Sequence, residues 1–169
     1  MKNIVAITAV WLAAFAVPAM SDDSSFVEKA AQGGMAEVEA SQLAANKATN
    51  DEVRKFALML VKDHGAANEK LADIAKSEGM KLPDTYSDTH KANLQALQAA
   101  DGPRFDQAYL AQMVKSHEQS VQALKTEIES GQKPALKAFA QEMLPTVESH
   151  LREANRLTGK SPAPGPAPN

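Results

Sequence analysis

Phe56-Ala-Leu-Met-Leu-Val-Lys-Asp-His-Gly-Ala-Ala-Asn-Glu-Lys-Leu-Ala-Asp-Ile-Ala75 is the stretch whose reading decides the fold. With Val53 just before it, apolar residues recur at Phe56, Ala57, Leu60, Ala67, Leu71 and Ala75. That three-and-four spacing is one face of a helix packed on a core. His64 falls in the gap between Leu60 and Ala67, on the same stripe, with Asp63 beside it. An imidazole on an apolar face must find a partner, lose its charge or bind something. What meets His64 is therefore the functional question.

Working outward, three more stripes of the same kind emerge. Ser25-Phe-Val-Glu28 has the form of a capping box, and a first helix is expected from about Phe26 to Lys47. Its inward residues are Phe26, Ala30, Gly34, Glu37, Ser41, Ala44 and Ala48. Gly33 and Gly34 allow another helix to approach closely, and Glu37 is the anomaly on an apolar face. Thr49-Asn-Asp-Glu52 reads as a second capping box, so the first two helices form an antiparallel hairpin. The second helix is expected to end near Glu78, at Gly79, and to touch all three other long helices.

Beyond it, Met80 to Tyr86 reads as a loop, and Ser87 caps a short helix to about Ala99. This passage is long enough to cross the length of a bundle. A third long helix, opened by Pro103, carries Phe105, Tyr109, Met113, His117, Val121 and Leu124 inward and closes at Gly131. A fourth, opened by Pro134, turns Leu136, Phe139, Ala140, Met143, Val147, His150, Leu151 and Ala154 inward. Pro145 is expected to kink it one turn before His150. The expected fold class is all-α: a four-helix bundle with a crossover connection holding a short helix, over residues 22–158. Residues 159–169, rich in Pro and Ala, read as a disordered tail.

Composition agrees. The chain has 169 residues, 5% aromatic, with abundant Ala and no runs of β-branched residues. A formal net charge of -3 offers no basic field for nucleic acid. With no cysteine there is no disulfide, thiolate metal site, iron–sulfur cluster or c-type haem attachment. No nucleotide-binding glycine motif is visible. At the start, Lys2 precedes an apolar run from Ile4 to Val17, about 14 residues and short for a bilayer span. Ala19-Met20-Ser21 then places small residues before Asp22, so residues 1–21 read as a cleavable signal peptide, cut near Ser21/Asp22. The expectation is an exported protein of the periplasm or cell envelope, with no transmembrane helix in the mature chain and no assigned partner.

Three of the four histidines sit on inward stripes of three different long helices, and the fourth long helix offers Glu37. Glu37 and His64 lie about 12 and 14 residues from the turn joining their helices, roughly 18 and 21 Å along the axis. His117 and His150 lie about 15 and 18 residues from the other turn, roughly 22 and 27 Å. All four are thus expected near mid-bundle. Three imidazoles and a carboxylate suit one divalent transition metal: zinc, copper or iron(II). Asp63, Asn68 and Met113 are placed behind these ligands. Asp63 either orients a histidine or faces solvent. Met113 and Met143 either fill the core, the more frequent role at this spacing, or bias the site towards copper. The alternative is a metal-free hydrogen-bond network inside a non-catalytic interaction or stress protein of the envelope. An enzyme of unknown substrate is a third class, with no visible nucleophile or cofactor motif. His90, on the connector, is assigned no role.

Phe26-(x)3-Ala-Ala-Gln-Gly-Gly-Met-Ala-Glu-Val-Glu39, Asp63-His64-(x)3-Asn68, Phe105-Asp-(x)2-Tyr109, His117 and Leu144-Pro-(x)4-His150-Leu resemble the exported bacterial proteins of domain of unknown function 4142. The resemblance covers nearly all of the mature chain. It implies a ferritin-like four-helix architecture and export, and it leaves the biochemistry open. The chain departs from true di-iron carboxylate bundles, which carry Glu-x-x-His pairs. Val61, Val114 and Val147 occupy the positions three before the histidines, so a dinuclear oxygen-activating centre is not expected.

Overall fold

The computed structural model describes residues 23–159. The expected signal segment, and the tail beyond Gly159, lie outside the described residues. Five helices follow one another: α1 (Asp23–Lys47), α2 (Asp51–Ser77), α3 (Asp88–Ala99), α4 (Pro103–Ser130) and α5 (Pro134–Leu157). Among the described residues there is no strand. The four long helices form the expected bundle, and α3 is the crossover.

Helix ends follow local chemistry, with two corrections. Helix α1 is already formed at Asp23, so Ser25 lies inside it rather than capping it. A tertiary contact overrides the local pattern there, because the Asp23 carboxylate accepts from the Gln132 amide at 2.9 Å. In the first turn between helices the cap is Asn50, whose side chain accepts from the Glu52 amide at 2.8 Å. Thr49 is unavailable because its hydroxyl donates to Asp106 at 2.6 Å. Elsewhere the expected signals hold: Gly79 (φ 64°) ends α2 and Ser87 caps α3. Gly102 (φ 58°) precedes Pro103.

Helix order around the bundle is α1, α2, α5, α4, with α1 packed on α2 and α4, and α5 packed on the same two. The expectation that α2 contacts all three long helices is corrected: α2 and α4 lie on a diagonal. Asp106, at the start of α4, binds the turn between α1 and α2 through Thr49 and Asn50. The turn between α4 and α5 meets the other end, through Gln132 with Asp23 and Lys133 with Glu78. Every neighbouring pair is therefore antiparallel and α3 carries the chain back along the bundle, against α1 and α4. Helix α5 runs continuously through Pro145. Pro145 and Gln141, whose carbonyl loses its helical partner, are both exposed, so that carbonyl is open to solvent.

The core is two apolar clusters rather than one. Towards the α1–α2 turn lie Ala44, Val53, Phe56, Leu60, Phe105, Tyr109 and Met113. Towards the α4–α5 turn lie Phe26, Val27, Leu71, Leu124, Leu136, Phe139 and Val147. On each long helix the break between clusters falls at Glu37, His64, His117 or His150. These four form a polar layer across the middle of the bundle.

Candidate metal centre

The layer exists because each helix interrupts its stripe at the same depth. All four residues are buried: Glu37 is 6% exposed, His64 8%, His117 0% and His150 3%. The three imidazole centroids are 5.3, 5.5 and 5.5 Å apart, almost an equilateral triangle. His64 and His117 come from diagonal helices and meet across the bundle axis.

Each ring is held from behind through one nitrogen. His117 Nδ1–H donates to the Met113 carbonyl one turn earlier, at 2.8 Å. His150 Nε2–H donates to Asp63 Oδ2 at 3.0 Å. His64 Nδ1 faces Glu37 Oε2 at 3.2 Å, and a bare lone pair there would meet an anion, so the proton belongs on Nδ1. Glu37 is itself fixed by the Ser116 hydroxyl, which donates to Oε1 at 2.6 Å. The atoms left over are Nε2 of His64, Nε2 of His117 and Nδ1 of His150. The last is buried with no hydrogen-bond partner. One ring nitrogen from each histidine lies within 4.8 Å of the other two.

Electrostatics follow from this packing. Burial pushes Glu37 up, but the three histidines and Ser116 outweigh it and hold the carboxyl below its usual range. Burial pushes His117 down, with Glu37 opposing and His64 adding to the fall. His150 is also held below the ordinary imidazole value by burial, with Asp63 opposing. Both rings therefore favour the neutral form, the one that ligates. Tyr109, two turns before His117, bonds Ser41 at 2.8 Å, and burial raises its phenol well above its usual range. It is a neutral neighbour of the layer.

The residues expected to support the site are placed as follows. Asp63 reaches across to His150 on α5 rather than to its own neighbour His64. Met113 offers its carbonyl, while its side chain is part of the apolar cluster. Asn68 sits one turn beyond His64 and presses on α1, where a Cβ built on Gly34 would run into its carboxamide. Ser116 was not among the expected site residues. Its position beside His117 puts it a quarter-turn off the stripe, and only the adjacency of α1 makes it a partner for Glu37.

A groove of about 490 Å³ runs between α1 and α4 and reaches His64, Glu37 and Asn68 at its floor. His90 and Ser87 of α3 line it as well.

Fold and site together define a crossover four-helix bundle with a central cluster of buried histidines. The chain belongs to the family described as Domain of unknown function (DUF4142), whose profile matches residues 12–157. Solved structures similar in fold include a DUF305 protein from Streptomyces coelicolor, 19% identical with a TM-score of 0.70, covering 82% of this chain and 91% of that one. A DUF305 fragment from Deinococcus radiodurans is 14% identical with a TM-score of 0.73, covering 85% of this chain and 100% of that one. A conserved hypothetical protein from Mycobacterium tuberculosis is 14% identical with a TM-score of 0.61, covering 86% and 96% respectively. No curated protein matches the chain.

Proposed function

We propose that this protein is an exported metal-binding bundle whose His64, His117 and His150 hold one divalent transition metal ion. The observation that carries it is the pairing of lone pairs. With Nδ1 of His64 and of His117 occupied behind, their Nε2 atoms face one another at 3.3 Å. Two acceptors at that distance repel unless a cation joins them. Two nitrogens bound at the usual distance to a tetrahedral zinc ion lie roughly 3.3–3.4 Å apart. The unpartnered Nδ1 of His150 supplies the third ligand. Glu37 and Asp63 act from behind, fixing ring orientation and raising ligand basicity. Zinc, copper(II) and iron(II) all suit the donor set, and three protein ligands leave one position open.

Export rests on the apolar run and cleavage-like sequence before Asp22. Among the described residues no helix is long and apolar enough to cross a membrane. N-terminal sequencing of the cell-envelope fraction should find a chain beginning near Asp22. Titration of the purified, tag-free mature protein with zinc or cobalt(II) should saturate at one equivalent. If neither ion binds, the layer is a proton-sharing network and the protein a non-catalytic member of the envelope.

A further inference from the structure

The groove between α1 and α4 is where the histidine layer comes nearest to a cavity, at His64 and Glu37. Of the three histidines it touches only His64, the one with the greatest exposure. Its inner walls are apolar, formed by Phe26, Leu71, Leu124, Phe139, Met143 and Val147. Lys29 on the α1 wall and Lys115 on the α4 wall are its exposed charges, and neither meets a carboxylate among the described residues. Glu37 is the groove's one carboxylate, already committed to Ser116 and His64. Helix α3, starting at Asp88, screens this face from outside.

Resting on the metal reading above, we infer that the groove takes a small aliphatic monocarboxylate, its carboxylate completing the coordination and its hydrocarbon tail filling the apolar walls. A dication ringed by neutral imidazoles accepts an anionic oxygen donor. The paired lysines raise the local concentration of anions at the mouth. The apolar residues of the inner wall give a hydrocarbon chain a surface to cover, and both gain from excluding water. No covalent step is involved.

The test uses the cobalt(II)-loaded mature protein, whose visible absorption reports a change in coordination. Acetate, butyrate, hexanoate and hexylammonium are titrated in turn. Affinity should rise about fourfold per methylene from acetate to hexanoate, and hexylammonium should leave the spectrum unchanged. Gly33→Leu provides the control, since a Cβ on Gly33 meets no atom within 4 Å and the new side chain enters the groove. This variant should bind cobalt as before but lose the dependence on chain length. A protein that takes up no cobalt overturns the metal reading itself. A cobalt protein whose spectrum ignores hexanoate, or whose Gly33→Leu variant keeps the full chain-length dependence, overturns the carboxylate site alone.

Discussion

His64 Nε2 and His117 Nε2 stand 3.3 Å apart across the diagonal of the bundle, although α2 and α4 are not packed neighbours. Two such rings reach one another only because both project to the axis at the same depth. The contact therefore reports on the whole layer and is the place to test it.

Adding zinc or cobalt(II) at about a hundred times its dissociation constant should stabilise the wild-type protein by about 2.7 kcal/mol. That increment should vanish in His64→Ala, which leaves two ligands. Lys55→Ala, on an exposed face, should keep it and shift the metal-free midpoint by less than about 0.5 kcal/mol. Thermal unfolding of the three proteins, with and without metal, is the measurement. A full increment in His64→Ala would remove that residue from the ligand set.

Asp63→Asn and Glu37→Gln separate ligands from the groups behind them. Each should weaken metal affinity by about 10- to 100-fold while preserving a stoichiometry of one. Competition with a chelator of known strength measures this. If Glu37→Gln abolishes binding as completely as His64→Ala, Glu37 coordinates the ion directly.

Stability of the metal-free protein should fall in acid in two stages. His117 and His150 are held below the ordinary imidazole value in the fold. Below about pH 6.5 the unfolded chain therefore binds more protons than the folded one, and stability declines as pH falls through the depressed folded values. The slope is at most about 1.4 kcal/mol per pH unit for each histidine. Glu37, held low, contributes stability that is present above its unfolded value and is lost as pH falls through its lower folded value. Denaturant midpoints from pH 8 down to about 2 would show both stages, and His150→Gln should flatten the first.

Asp106→Ala should destabilise the protein by about 2–4 kcal/mol, measured by denaturant unfolding. Its carboxylate receives the Thr49 amide, the Thr49 hydroxyl and the Asn50 amide, at 3.0, 2.6 and 2.9 Å. Removing it strands these donors in a part-buried turn. Asp84→Ala, on the exposed connector, should change little.

Pro145→Ala should raise the thermal midpoint, with a gain of about 1–3 kcal/mol, because α5 already runs through this position and regains one backbone bond. A lower midpoint would mean that the helix is shaped around the proline.

The helices and their stripes were legible because apolar spacing is a local property of the chain. His64, His117 and His150 could be placed at one depth by counting residues from each turn. What counting does not supply is the order of helices around the axis. Asp63 follows the helix a quarter-turn from His64, and whether it meets α1 or α5 depends on which helix stands there. The same ignorance hid Ser116 and made α2 a neighbour of α4. Thr49 and Ser25 failed as caps for a related reason. Asp106 claims the Thr49 hydroxyl from the far side of the turn, and Asp23 extends α1 by reaching Gln132.

The polar layer between the two apolar clusters also acts as an axial ruler. Small residues such as Ala31, Ala40, Ala44, Ala140 and Ala154 line much of the interface, and smooth alanine faces resist sliding poorly. A slip of α5 by one turn, about 5.4 Å, would replace His150 with Ala154 at the centre and drive the imidazole among hydrocarbons. Any such slip strands a ring nitrogen or a carboxylate. The same four residues proposed to serve the ion therefore hold the sequence to a single alignment of its helices, whether or not the ion is bound.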